Sequence, residues 1–81
     1  MRLIDEVVQE VLNSNSLSEV THLCLDEERL GELLYDYENE FEIELMEFDR
    51  KPTREDLEDY LNVKVVVENT GSDKFKLLTK V

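Results

Sequence analysis

Phe41-Glu42-Ile43-Glu44-Leu45 alternates apolar and acidic residues without interruption. A period of two is the mark of a half-buried strand. It predicts a strand with Phe41, Ile43 and Leu45 on a covered side and Glu42 and Glu44 facing water. The alternation slips at Leu45-Met46 and resumes at Glu47-Phe48, which predicts a bulge or bend near Met46.

The segments on either side fill in an alternation of helix and strand. Upstream, Leu3, Ile4, Val7, Val8, Val11 and Leu12 have the spacing of one apolar helical stripe, predicting a helix over 2–13. Asn13-Ser14-Asn15-Ser16 competes with the helix ladder and should end it. Val20–Leu25 reads as a short strand, with Leu23 and Leu25 on one face and His22 and Cys24 on the other. Asp26 is placed to N-cap the next helix, favoured further by Glu27 and Glu28 at its positive end. Its buried stripe is Leu30, Leu33, Leu34 and Tyr37, and Gly31 either weakens it or allows close packing. Downstream, Thr53-Arg54-Glu55-Asp56 resembles a capping box opening a helix over 54–62 that buries Leu57, Tyr60 and Leu61. Val63–Glu68 and Lys74–Lys80 read as strands joined by the turn-forming stretch Asn69-Thr70-Gly71-Ser72-Asp73.

The expected fold is therefore one small α+β domain over 1–81, in the order α-β-α-β-α-β-β. Its sheet is mixed or antiparallel, with helices packed on one face. Eighty-one residues leave room for one modest core. With 41% apolar residues in periodic clusters, the chain is not a disordered tail.

Charge is the unusual property. The formal net charge is −12. Residues 1–25 carry −3, residues 26–59 carry −11 and residues 60–81 carry +2. Direct nucleic-acid binding and an anionic membrane surface are disfavoured, whereas a basic protein surface would be attracted. On a strand, Glu40, Glu42 and Glu44 would project from one face at intervals of about 6.6–6.8 Å, with Glu38 continuing the series. That is close to the interval between phosphates along a DNA strand, so such a ladder could mimic DNA before a nucleic-acid-binding protein. Glu55, Asp56, Glu58 and Asp59 form a second acidic group on the short helix. Tyr35 falls off its helix's stripe and is a candidate binding anchor, since Tyr is enriched at interface hot spots. The plain alternative is that these carboxylates only solubilise the domain.

Catalytic and metal signals are thin. His22 and Cys24 share a strand face but lack the second Cys or His of a usual tetrahedral site. Ser14, Ser16 and Ser18 lie outside any nucleophile elbow, and Gly71 stands alone rather than in a phosphate-cradling loop. No cofactor, no metal and no enzymatic activity are expected. A single Cys, no apolar run of membrane-spanning length and an N-terminus broken by Asp5, Glu6 and Glu10 favour a cytoplasmic location.

The segments His22-Leu23-Cys24-Leu25-Asp26-Glu27-Glu28-Arg29-Leu30 and Leu61-Asn62-Val63-Lys64-Val65-Val66-Val67 resemble small acidic bacteriophage proteins. In those a short strand leads into a helix and the chain closes with a Gly-Val-x-Val-Val hairpin. Asn62 stands here where that pattern has Gly. The resemblance implies a phage accessory protein acting in the host cytoplasm, binding and modulating or inhibiting a host protein. The alternative expectation is an assembly protein that self-associates through the N-terminal helix or a sheet edge.

Overall fold

A computed structural model of the chain describes residues 1–80. Its elements are α1 (Leu3–Asn15), β1 (Val20–Leu25), α2 (Glu27–Glu40), α3 (Glu42–Glu47), α4 (Arg54–Leu61), β2 (Lys64–Val67) and β3 (Lys76–Thr79). The class is α+β, and the sheet is mixed. β1 is central, parallel to β2 on one side and antiparallel to β3 on the other.

The segment 41–45 is not a strand. Glu42–Glu47 is helical, so three helices follow one another and the chain reads α-β-α-α-α-β-β. The same letters carry a second period. Tyr37, Phe41 and Leu45 continue, at intervals of four, the stripe begun by Leu30 and Leu33. Glu, Leu and Met favour helix, and no Pro separates α2 from α3. The helix ladder nearly runs through the junction, with Phe41 N donating to Tyr37 O and Leu45 N to Phe41 O. At Phe41 the backbone departs from helix, at φ −116° and ψ 30°, and the axis breaks there.

The expected bulge near Met46 is absent for the same reason. A bulge does occur in β1, between Val20 and His22. Thr21 is the extra residue against Leu78–Thr79, which lets Val20 join Leu23 and Leu25 on the core side despite its even number. β2 and β3 do not form a hairpin with each other, because β1 lies between them. The ordering has a physical reason. β1 is the most buried strand, covering Val20, Leu23, Cys24 and Leu25, whereas β2 and β3 carry exposed lysines suited to edges.

The core lies between the sheet and the helices. It is built from Leu3, Ile4, Val7 and Val11 of α1, Val20, Leu23 and Leu25 of β1, Leu33 of α2, Leu57 and Leu61 of α4, with Val63 and Val65. The opposite sheet face carries Lys64, His22, Lys76 and Leu78, exposed or half-buried. Two stripe positions are wetter than the sequence implies: Leu12 is exposed and Tyr60 is 45% exposed. Gly31 does not serve close packing, since a Cβ there would meet no atom within 4 Å.

The helix ends follow local chemistry. Asp26 Oδ1 accepts from Arg29 N at 2.8 Å. Thr53 and Asp56 form a reciprocal capping box. α1 has no cap of its own, because Arg2 offers no acceptor. Asp36, buried on α2, supplies one, its Oδ2 accepting from Ile4 N at 3.2 Å. α4 ends at Asn62 with φ 57°, a left-handed conformation that Gly adopts freely and Asn tolerates.

Candidate functional site

α3 places its side chains by the geometry just described. Leu45 turns inward and is buried, and the ring of Phe41 stacks on Tyr37 with centroids 4.5 Å apart. Tyr60 of α4 meets both rings edge-on, at 5.9 Å from Tyr37 and 5.3 Å from Phe41. This trio fixes α3 against α2 and α4. Once Phe41 and Leu45 face inward, the other apolar residues of the segment must face outward. Ile43 is 83% exposed, Met46 71% and Phe48 69%.

The end of α3 is held by backbone geometry. Asp49 adopts φ 47°, its N–H donates to Met46 O, and Arg50 N donates to Leu45 O. That pair of bonds is a Schellman motif. It turns the chain so that Arg50 and Lys51 flank an open hollow of about 530 Å³ beside α3. Leu45 and Met46 give the hollow its apolar lining, and Glu38, Glu42 and Asp49 line it with carboxylates. Its two cations are engaged. Lys51 Nζ pairs with Glu38 at 3.2 Å, and both terminal nitrogens of Arg50 donate to Asp56, at 2.8 and 3.0 Å. Glu42, Glu44, Glu47 and Asp49 make no ion pair among the described residues.

The seven candidate carboxylates read from the sequence divide in two. Glu42, Glu44, Glu55 and Asp59 are exposed and unpaired among the described residues. Glu40, Asp56 and Glu58 hold the fold instead. Arg2 Nη1 pairs with Glu40 at 2.8 Å, joining the start of α1 to the end of α2. Asp56 binds Arg50 and accepts from Thr53 N at 2.7 Å. Arg50, then the Thr53 backbone, keeps the Asp56 carboxyl below its ordinary range. Glu58 Oε2 accepts from Val65 N at 2.8 Å and so covers an outward donor of the β2 edge. Tyr35 is exposed on α2 and does not line the hollow beside α3.

The evenly spaced ladder of Glu40, Glu42 and Glu44 does not exist, because Glu40 ends one helix and the other two belong to the next. The acidic side is nonetheless centred. Tyr37 has its phenol pushed up, first by burial and then by Asp56, with Arg50 opposing and Glu44 and Asp59 adding to it, so carboxylates of both α3 and α4 act on one aromatic cluster. Arg29 pairs with Glu32 and leaves this side untouched.

Ile43, Met46 and Phe48 were not legible as surface residues, because the strand reading gave Ile43 to the covered face. The signal was the stripe Tyr37-Phe41-Leu45, which leaves them over.

His22 and Cys24 do share the outer face of β1. Cys24 is nonetheless buried, and burial, followed by Glu68, pushes its thiol up. His22 Nδ1 lies 2.8 Å from Thr21 Oγ1. No three His, Cys, Asp or Glu side chains among the described residues are grouped to hold a metal ion. None of the helices is long and apolar enough to cross a membrane among the described residues. No protein-family model matches the chain, and comparison with curated proteins and with solved structures finds no match either.

Proposed function

We propose that this chain is a non-enzymatic binding protein whose acidic α3–α4 side engages a basic surface on another protein. The observation that carries the reading is the exposure of Ile43, Met46 and Phe48 among carboxylates that have no internal cation. Burying a side chain of that size on a partner contributes about 1.5–3 kcal/mol. Leaving three of them wet on one short segment, with Ile43 and Met46 side by side, is costly unless something covers them. The surrounding charge favours a cationic partner and speeds its approach. The resemblance of the segments around His22–Leu30 and Leu61–Val67 to phage accessory proteins gives the partner a place. It is a host protein, modulated or inhibited in the host cytoplasm.

The test is capture of partners from a bacterial lysate at low salt, followed by direct titration of the captured protein. Binding should weaken steeply as salt rises and should fall when Glu42 and Glu44 are changed to Lys. Affinity indifferent to both changes would contradict the reading.

A second reading, self-association, has its own observation. Leu12 and Tyr60 are partly or largely exposed beside an apolar hollow of about 210 Å³ lined by Val8, Val11 and Leu61, between α1 and α4. Sedimentation separates the two. A stable dimer abolished by Leu12→Ser supports assembly, and a monomer supports the hetero-partner.

A further inference from the structure

We infer that α3 docks an amphipathic cationic helix, recognised by side chains rather than by backbone pairing; this rests on the basic-partner reading and specifies it. Ile43 and Met46 stand at i and i+3 on the outer side of α3, and Phe48 follows at its end. Ile43 and Met46 form one short apolar ridge, about 4.5 Å along the helix axis, whereas Phe48, at i+2 from Met46, does not share their face. The hollow beside the ridge gives a partner's apolar residue somewhere to enter, against Leu45 and Met46. Met suits such contacts, since its flexible thioether adapts to varied shapes.

The occupant's charge follows from the rim. Lys51 and Arg50 are exposed but each is paired, with Glu38 and Asp56, so the unpaired charge left at the rim is that of Glu42, Glu44, Glu47 and Asp49. A partner must bring apolar anchors flanked by Lys or Arg. A helix with apolar residues at i, i+3 or i+4 does this on one face. An added β-strand does not fit here, because the α3 backbone spends its donors within the helix and in the Schellman motif. A second copy of this chain brings a net charge of −12 to the same rim, and an anionic lipid surface is repelled by it.

The experiment uses the full chain and two synthetic Leu/Lys peptides of equal composition, one with helical amphipathic spacing and one scrambled. At low salt the amphipathic peptide should bind about tenfold tighter or more, the equivalent of about 1.4 kcal/mol. Ile43→Ser/Met46→Ser should remove that advantage and leave the scrambled peptide's affinity unchanged. The two side chains are exposed, so the melting curve should not move. Glu42→Gln/Glu47→Gln, isosteric and also exposed, should weaken both peptides and flatten the salt dependence. Equal binding of the two peptides, unchanged by the Ser variant, overturns the docked helix while leaving a basic partner in place. Failure of both peptides to bind at low salt overturns both readings. A dimer that Ile43→Ser/Met46→Ser dissociates overturns the inference in favour of self-association.

Discussion

Asp36→Ala should destabilise the protein by about 1.5 kcal/mol, more than any exposed carboxylate of α2 would. The reason lies in the start of α1. Its N-cap, Arg2, has an extended backbone but no side-chain acceptor, and the Ile4 N–H is instead taken by Asp36 Oδ2 at 3.2 Å from a buried position. Removing an N-cap acceptor costs about 0.5–2 kcal/mol. A partly buried negative charge at a helix N-terminus contributes up to about 2 kcal/mol. Both describe one contact and are not summed, which leaves about 2 kcal/mol. Ala is the better helix former at this interior position and returns roughly half a kcal/mol. For a domain of this size each kcal/mol moves Tm by about 4–8 °C, so a drop of about 6–12 °C is expected. Asp36→Asn keeps an acceptor oxygen without the charge and should lose roughly half as much. Thermal and urea unfolding followed by circular dichroism give the values, with exposed Gln9→Ala as a control within about 0.5 kcal/mol of the parent. An Asp36→Ala variant indistinguishable from that control would refute the cross-helix cap.

Gly31→Ala should stabilise the protein by about 0.5–1 kcal/mol, because a Cβ meets nothing there and α2 loses its most flexible interior residue; an unchanged or lower melting temperature would contradict this. The Asp56 carboxyl is held below its ordinary 3.8 by Arg50 first, so the unfolded chain binds that proton more tightly than the folded one. Its contribution is complete above 3.8 and drains as pH falls through the depressed value. The stability gap between the parent and Arg50→Ala, measured by urea unfolding, should therefore be widest at neutral pH and narrow at about pH 3; a gap independent of pH would count against the pair. Cys24, buried and with its thiol pushed up, should react with a thiol reagent only slowly until urea exposes it; prompt labelling of the native protein would contradict the burial.

Much of the fold was legible where one local signal had no competitor. The caps at Asp26 and Thr53–Asp56 are where the sequence places them; the α1 stripe buries Leu3, Ile4, Val7 and Val11, and the α2 stripe buries Leu33 while Leu30, Leu34 and Tyr37 pack half-buried against the core. The segment 41–48 failed because two periods coexist in it. Phe41-Glu42-Ile43-Glu44-Leu45 satisfies a period of two, and Tyr37-Phe41-Leu45 satisfies that of a helix. The stripe of α2, already committed to the core, decides between them. Strand order was illegible because it depends on which strand is most deeply buried, a property of the packed whole. Asp36 was illegible because its partner is Ile4, thirty-two residues away. For the site, the sequence located the charge. It could not tell a carboxylate that holds a helix end, such as Asp56, from one that faces water, such as Glu44, since that difference is made by Arg50 and Thr53 in space.

The central claim is that the ridge of Ile43 and Met46, with its carboxylate rim, is where a cationic partner lands. Backbone amide NMR, recorded while the amphipathic Leu/Lys peptide is titrated into the full chain at low salt, tests it residue by residue. The account predicts shifts concentrated in residues 38–51 that fade as salt is added. Shifts confined to the hollow between α1 and α4 or to the lysine-bearing sheet face, or no shifts at all, would contradict it.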